Sequence, residues 1–220
     1  MASREEYDVL WERARQRLRV GDLQLDREPV DGDPRWGLSL VLLPPRPLAQ
    51  RIAGVADELA AAYDGTQHVY GVEDVHLTIT SLEPYRDRID RATLEHYIDV
   101  VEDSRGALDH RVRLDGLGGS AAGIFVQGFD DDTLRPIRVR MREAASALHG
   151  GAAPPMAFIR NTAHLSISVH REASREAAVV RHVDRSRHQE LGEMHGARVA
   201  LVRYRPRVGS MGIEVLHTVG

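Results

Sequence analysis

The stretch His76-Leu77-Thr78-Ile79-Thr80 returns later in the chain as His164-Leu165-Ser166-Ile167-Ser168. Polar residues hold every second position in both copies, with apolar residues between them. That is the period of a β-strand, so His76, Thr78 and Thr80 share one face and Leu77 and Ile79 share the other. His164, Ser166 and Ser168 share a face in the same way. A strand buried on its apolar side presents a histidine and a hydroxyl ~7 Å apart to one space. Of the eleven histidines, only these two are followed two residues on by Ser or Thr. The full pattern arises by accident well under ~0.01 times in a chain of this length.

The surroundings of the two copies also match. Before the first lies an apolar run, Trp36 to Leu43, bounded by Pro34 and Pro44 and read as a strand buried on both faces. A helix over 47–63 follows, with Leu48, Ile52, Val55, Leu59 and Ala62 as its inner stripe. His68 to Tyr70 reads as a short strand, 75–82 as the motif strand and 89–103 as a helix. Later, 109–117 and 122–129 read as a hairpin turning at Gly118-Gly119-Ser120. Helix 133–148, motif strand 163–169 and helix 173–184 follow, then strands at 197–204 and 211–217. Strand, helix, motif strand and helix thus occur twice, with the histidines 88 residues apart. An internal duplication of about 75 residues is too long and too few-copied for a solenoid. Two related lobes would bring both motif strands to one cleft. Residues 4–19 form an amphipathic helix and the stretch to Pro34 a loop, so 1–35 is a helical extension. The remainder, 36–220, forms lobes of about 36–108 and 109–220.

Composition narrows the classes. The chain has 220 residues, 42% apolar and 28% charged, as in an ordinary globular protein. It has no cysteine, which excludes disulfides, thiolate metal sites and cysteine nucleophiles. No membrane-length apolar run and no signal-peptide core are present, so a cytoplasmic location is expected. A net charge of −4 argues against a general nucleic-acid-coating surface and leaves room for a local cationic cleft.

Two histidines in one cleft can act as general base and general acid on opposite sides of a reacting centre. Thr78 and Ser166 can donate hydrogen bonds to an anion that gains charge in the transition state. In-line displacement at phosphorus fits this set, with either histidine able to take either role.

The paired H-x-[ST]-apolar motifs, His76-Leu77-Thr78-Ile79 and His164-Leu165-Ser166-Ile167, on repeated strand–helix units resemble the two-histidine (2H) phosphoesterase superfamily. This superfamily includes cyclic nucleotide phosphodiesterases and relatives of bacterial 2′-5′ RNA ligase. The resemblance covers roughly residues 36–204 and departs from the common pattern at Ala163, where members often carry proline. It implies an α+β, bilobal fold of duplicated strand–helix units, with mainly antiparallel sheets around a central cleft and helices outside. It also implies His76 and His164 as catalytic residues, Thr78 and Ser166 as substrate-binding ones, and chemistry that needs no metal and no cofactor. The expected activity is hydrolysis of 2′,3′-cyclic phosphates on nucleotides or RNA ends. The alternatives are action on 2′-5′ linkages or cyclic oligonucleotides, RNA ligation included, or a binding module without turnover. The expected partner is a nucleotide or RNA end, with no membrane or protein partner and a monomeric chain.

Other candidates are weaker. Phe125, Tyr85 and Arg160 are the aromatic and cationic residues nearest the cleft in sequence, and Arg160 is the one assigned to substrate phosphate. Phe125 reads as core, since it alternates with the polar Gln127. His164 and His170 lie ~20 Å apart along a strand, too far to share a metal. His182, His188 and His195 lack a ligand period. Gly116 to Gly123 precedes a strand where a phosphate loop would open a helix, so a hairpin is the better reading. Asp130-Asp131-Asp132 caps helix 133–148.

Overall fold

The structure, a computed structural model, describes residues 3–63, 67–105, 110–207 and 210–219. In chain order it contains α1 (Arg4–Val20), β1 (Ser39–Leu43), α2 (Arg46–Ala60), β2 (His68–Val69), β3 (Leu77–Ser81), α3 (Arg91–Glu102), β4 (Arg113–Ser120) and β5 (Gly123–Phe129). There follow α4 (Arg135–Leu148), β6 (Ala163–Ser166), β7 (Ser168–Val169), α5 (Ala177–Arg185), β8 (Glu190–Glu193), β9 (Arg198–Arg207) and β10 (Ser210–Val219). The start expected for the fourth strand, residue 109, lies outside the described residues, and β8 was not anticipated.

Local chemistry explains the ends. Ser3 and Glu6 form a capping box at the start of α1, and Gly21 closes it with a left-handed φ of 76°. Both α2 and α4 carry proline in the first turn, where its missing N–H costs nothing.

Eight strands form one sheet in the order β10-β9-β1-β3-β6-β5-β4-β8, each paired antiparallel with its neighbour. The duplicated unit is visible in it: β1-α2-β3-α3 corresponds to β5-α4-β6-α5. The halves join through β3 and β6, so the two motif strands are direct neighbours. The last strands, β9 and β10, return to extend the first half beyond β1. Leu40 and Leu42, Leu77 and Ile79, Ile124 and Val126, and Leu165 share one core with the inner stripes of the helices. The opposite face carries two smaller clusters, Val41, Leu43, Ala200 and Val202 in one half and Tyr7, Phe125 and Phe129 in the other. Between them lies a cavity. The N-terminal helix is built into the domain: Trp11, Ala14 and Leu18 join the main core, and Tyr7 is fully buried.

Three expectations are corrected. The hairpin turns at Ala121-Ala122, and Gly118 and Gly119 lie inside β4. A Cβ at Gly118 would fall 2.6 Å from the Phe125 ring, so glycine there is demanded by packing and not by a turn. The second motif strand breaks at Ile167, and β7 pairs with β2 in a separate two-stranded sheet. In the first motif, Leu40 pairs with Thr80 but Val41 pairs with Thr78, which makes Ile79 the extra residue of a β-bulge. Thr80 therefore shares the core side with Leu40, is 1% exposed and donates to the Ser81 carbonyl. Ser81, opposite Ser39, takes its place on the cavity side.

The junction of the halves is braced by Arg138 of α4. Its Nε donates to the Ile79 carbonyl at 3.0 Å, and its Nη atoms donate to the Arg160 and Thr162 carbonyls at 2.9 Å each. Asp130 supplies the counter-charge at 4.0 Å, and both side chains are almost wholly buried. Arg138→Leu leaves the buried charge of Asp130 without its counter-charge and removes the guanidinium hydrogen bonds to three carbonyls. Urea unfolding should show a loss of about 3–5 kcal/mol, and Arg138→Lys, which lacks the planar fork, should recover only a small part of it.

Candidate active site

The cavity measures about 640 Å³ and is lined by His76, Thr78, His164, Ser166, Arg160 and Tyr204 among others. All five residues assigned to the site from sequence therefore lie on one cavity. The register pairs Leu77 with Leu165. Continued by one residue each way, it sets Thr78 beside His164 and His76 beside Ser166. Each histidine thus neighbours the hydroxyl residue of the other motif, at the ~5 Å Cβ separation of cross-strand partners.

The two histidines are held differently. The His76 Nδ1–H donates to the Asp74 carbonyl at 2.7 Å, which leaves Nε2 as the acceptor. Tyr204 fills that position, its hydroxyl 2.9 Å from Nε2. Thr78 and Ser39 lie beside the Tyr204 hydroxyl on the same cavity wall. His164 has its Nδ1 3.3 Å from the Thr162 hydroxyl. Its ring lies against Phe125, with centroids 4.7 Å apart. No hydrogen-bond partner for its Nε2 exists among the described residues. Burial lowers the His76 pKa, and the Asp74 carbonyl partly opposes this. Burial, with the charges of Arg160, Arg138 and His76, pushes His164 down to about 3. Both rings are neutral at neutral pH.

Arg160 donates to the Ser81 hydroxyl at 3.2 Å, and its guanidinium lies 5.0 Å from the Phe158 ring centre. Phe125 is buried, as expected of core, but on the cavity side: residues two apart in a strand share a face, and Phe125 shares its face with His164 through the Phe125–Ser166 pairing. Tyr85 does not line the cavity. Ser168 lines it, but its hydroxyl is engaged by Tyr63 at 2.5 Å and by the Ile124 amide. Asp130 accepts from the Leu134 amide and pairs with Arg138, but Leu134 is itself the N-cap of α4 and no side chain caps the helix, so the expected capping by Asp130-Asp131-Asp132 is not observed. Among the described residues, no three His, Asp or Glu side chains are grouped to hold a metal ion.

No protein-family model matches this chain, and no curated protein matches it by sequence. Solved structures do match. The crystal structure of TT0787 of Thermus thermophilus superposes with a TM-score of 0.61 at 17% identity, over 83% of this chain and 96% of that one. E. coli LigT in its apo form gives a TM-score of 0.56 at 13% identity, over 83% and 95%. LigT complexed with ATP gives 0.54 at 11%, over 83% and 96%. The fold is one that this chain shares with TT0787, LigT and a protein described as a phosphoesterase. At these identities the likeness is one of architecture. The α+β architecture with a mainly antiparallel sheet, expected from the paired motifs, is the one observed.

Tyr204, Ser81 and Arg138 were missed in the sequence. Tyr204 lies 128 residues from its partner His76, on a strand with no motif of its own. Ser81 was hidden by the bulge.

A group whose folded pKa is depressed contributes stability above its unfolded pKa and loses it as pH falls. His164 follows this rule between 6.5 and about 3, and His170, buried with neither ring nitrogen partnered, between 6.5 and about 4. Thermal midpoints should therefore fall as pH drops below 6.5. His170→Phe should flatten that decline, read from melts of both proteins across the interval.

Proposed function

We propose that this chain is a two-histidine phosphoesterase that hydrolyses 2′,3′-cyclic phosphates of nucleotides or RNA ends. The observation that carries the reading is the crossed placement of His76 beside Ser166 and of Thr78 beside His164, on one cavity with Arg160. LigT, of the same fold, has been crystallised with ATP and with NADP+, which supports a nucleotide as ligand.

In the reaction, one histidine takes a proton from water as the water oxygen bonds to phosphorus. The bond from phosphorus to the ribose oxygen breaks, and the other histidine protonates that leaving oxygen. Thr78, Ser166 and Arg160 hold the non-bridging oxygens as charge builds on them. The surroundings favour a definite division of labour. His76, whose Nδ1–H is fixed by a carbonyl that steadies the imidazolium, is the acid. His164, kept neutral by burial and by two guanidinium groups, is the base. On product release, Tyr204 can return its hydroxyl hydrogen bond to His76 Nε2.

Hydrolysis of 2′,3′-cyclic nucleotides in EDTA, followed by phosphorus NMR, tests the reading. His76→Ala and His164→Ala should each lose about 10²–10⁴-fold in kcat, and Thr78→Val and Ser166→Ala about 10²-fold. Folded wild-type protein that turns over only 2′-5′-linked dinucleotides would move the substrate assignment. Binding without turnover would replace catalysis altogether.

The division of labour has its own test. A p-nitrophenyl leaving group needs no protonation, so a nucleoside p-nitrophenyl phosphate should restore turnover to His76→Ala and not to His164→Ala. Equal recovery of both variants would overturn the assignment.

The pH profile follows from the depressed histidines. The reactive form holds one proton on the pair, and its population falls once pH passes the higher of the two midpoints, which lies below 6.5. We expect kcat/KM to peak on the acid side and decline through neutrality. The bound phosphate anion favours the imidazolium, so the same limb in kcat should sit at higher pH.

A further inference from the structure

Residues 22–37, which precede the duplicated unit, cross from one half of the sheet to the other. At the start of this strap, the Gln24 and Asp26 amides donate to the carbonyls of Ala121 and His170 in the second half. At its end, the Gly32 amide donates to the Tyr85 carbonyl and the Tyr85 amide to the Asp33 carbonyl, both beside the first half. To the cavity wall it contributes Gln24 at its first anchor and Pro34, Arg35 and Trp36 just past its last. The anchoring is tight at Gly37, where a Cβ would lie 1.8 Å from the Glu83 carbonyl oxygen. Next to it, Trp36 has φ +60°, a left-handed conformation that a bulky side chain seldom adopts. Strain at a cavity-lining residue, held by fixed neighbours on both sides, marks a position built for a task other than packing.

Arg35 is the side chain this strap presents. Asp26, 1% exposed, pairs with its Nη1. The guanidinium lies 5.4 Å over the Trp36 ring, which in turn meets Tyr204 edge-on with centroids 5.0 Å apart. The plane of the fork is thus supported on one face and tied at one nitrogen. Its other N–H groups have no hydrogen-bond partner among the described residues, and the side chain remains 37% exposed. The charge acts on Tyr204 and Tyr70 inside the cavity. A fixed guanidinium with free donors facing a cavity is a receptor for a doubly hydrogen-bonding anion. The reacting phosphate already has Thr78, Ser166 and Arg160, so Arg35 is surplus to it.

We propose that Arg35 binds a second phosphate of the substrate, such as a 5′-phosphate, so that nucleotides with two phosphates are preferred over those with one. This rests on the phosphoesterase reading and specifies its substrate class. The strap lies outside the repeat that carries both histidines. The specificity is therefore a property of this chain's own N-terminal segment.

Calorimetric binding of two product-like ligands tests it without any turnover: a nucleoside 2′-monophosphate and the matching 2′,5′-bisphosphate, for each of the four bases. Wild-type protein should bind the bisphosphate of at least one base about ten-fold or more tightly than its monophosphate. Arg35→Gln should bring that ratio close to one, and Arg35→Lys, charged but without the fork, should leave it between the two. A wild-type ratio near one for every base overturns the proposal, as does a failure to bind any of the ligands. So does an Arg35→Gln variant that weakens both ligands equally, which would assign Arg35 to the reacting phosphate. Turnover of cyclic phosphates with a ratio near one would sink this inference alone. A high ratio without turnover would sink the catalytic reading alone.

Discussion

Arg138 is the point on which the arrangement turns. The ladder between β3 and β6 is short, with Leu77 and Leu165 its recorded pair, yet this is the seam that unites the two halves and places the histidines together. Beyond the ladder, the carbonyls of Ile79 on one side and of Arg160 and Thr162 on the other are closed by a single buried guanidinium. A planar fork with five donors is the one side chain able to satisfy three diverging acceptors at once. Burying that charge is tolerable because Asp130 lies beside it and because the hydrogen bonds are made. The same cation depresses the pKa of His164. The interaction that braces the site therefore also adds, after burial and Arg160, to what keeps His164 neutral.

Much of this was legible in the sequence because it depends on period and repetition. Alternation placed His76 with Thr78 and His164 with Ser166 on one face, and the duplicated order of elements implied that the two faces meet. What stayed hidden depends on departures from regularity or on contacts distant in sequence. The bulge at Ile79 exchanges Thr80 for Ser81, and no residue type announces it, since threonine and serine suit either side of a strand. The Gly118-Gly119-Ser120 run reads as a turn, although Gly118 is there to make room for Phe125. Phe125 itself looks like ordinary core, and only the pairing with Ser166 shows which side it is on. Tyr204 and Arg35 come from the two ends of the chain, outside the repeat, where pattern offers no guide.

Charge in the cavity is organised by subtraction. Arg160 and Arg35 both lie near Tyr204, and an empty cavity with two guanidinium groups cannot also hold a protonated histidine pair without strong repulsion. Burial disfavours the charged form of both rings, and at His164 the charges of Arg160 and Arg138 act in the same direction. Binding of a phosphate then does two things at once: it satisfies the arginines and stabilises an imidazolium. On the proposed reading, substrate and catalytic proton favour each other's arrival, which would tie general acid catalysis to an occupied site.

The two motifs are nearly identical in sequence, and a site built from them alone would be symmetric, with either histidine fit to start or finish the reaction. Asymmetry comes from residues outside the repeat or at its edges. On the His76 side, the Asp74 carbonyl fixes Nδ1–H and Tyr204 occupies Nε2. On the His164 side stand Phe125, whose ring lies against the imidazole, and Arg160 and Arg138, two cations that with burial disfavour protonation. The duplication accounts for the pair of histidines, and on the proposed mechanism their unequal surroundings decide which of them holds the proton. A change confined to those surroundings would therefore redistribute the roles without touching either histidine, which makes the flanking residues, and not the motifs, the part of the site where direction and substrate are set.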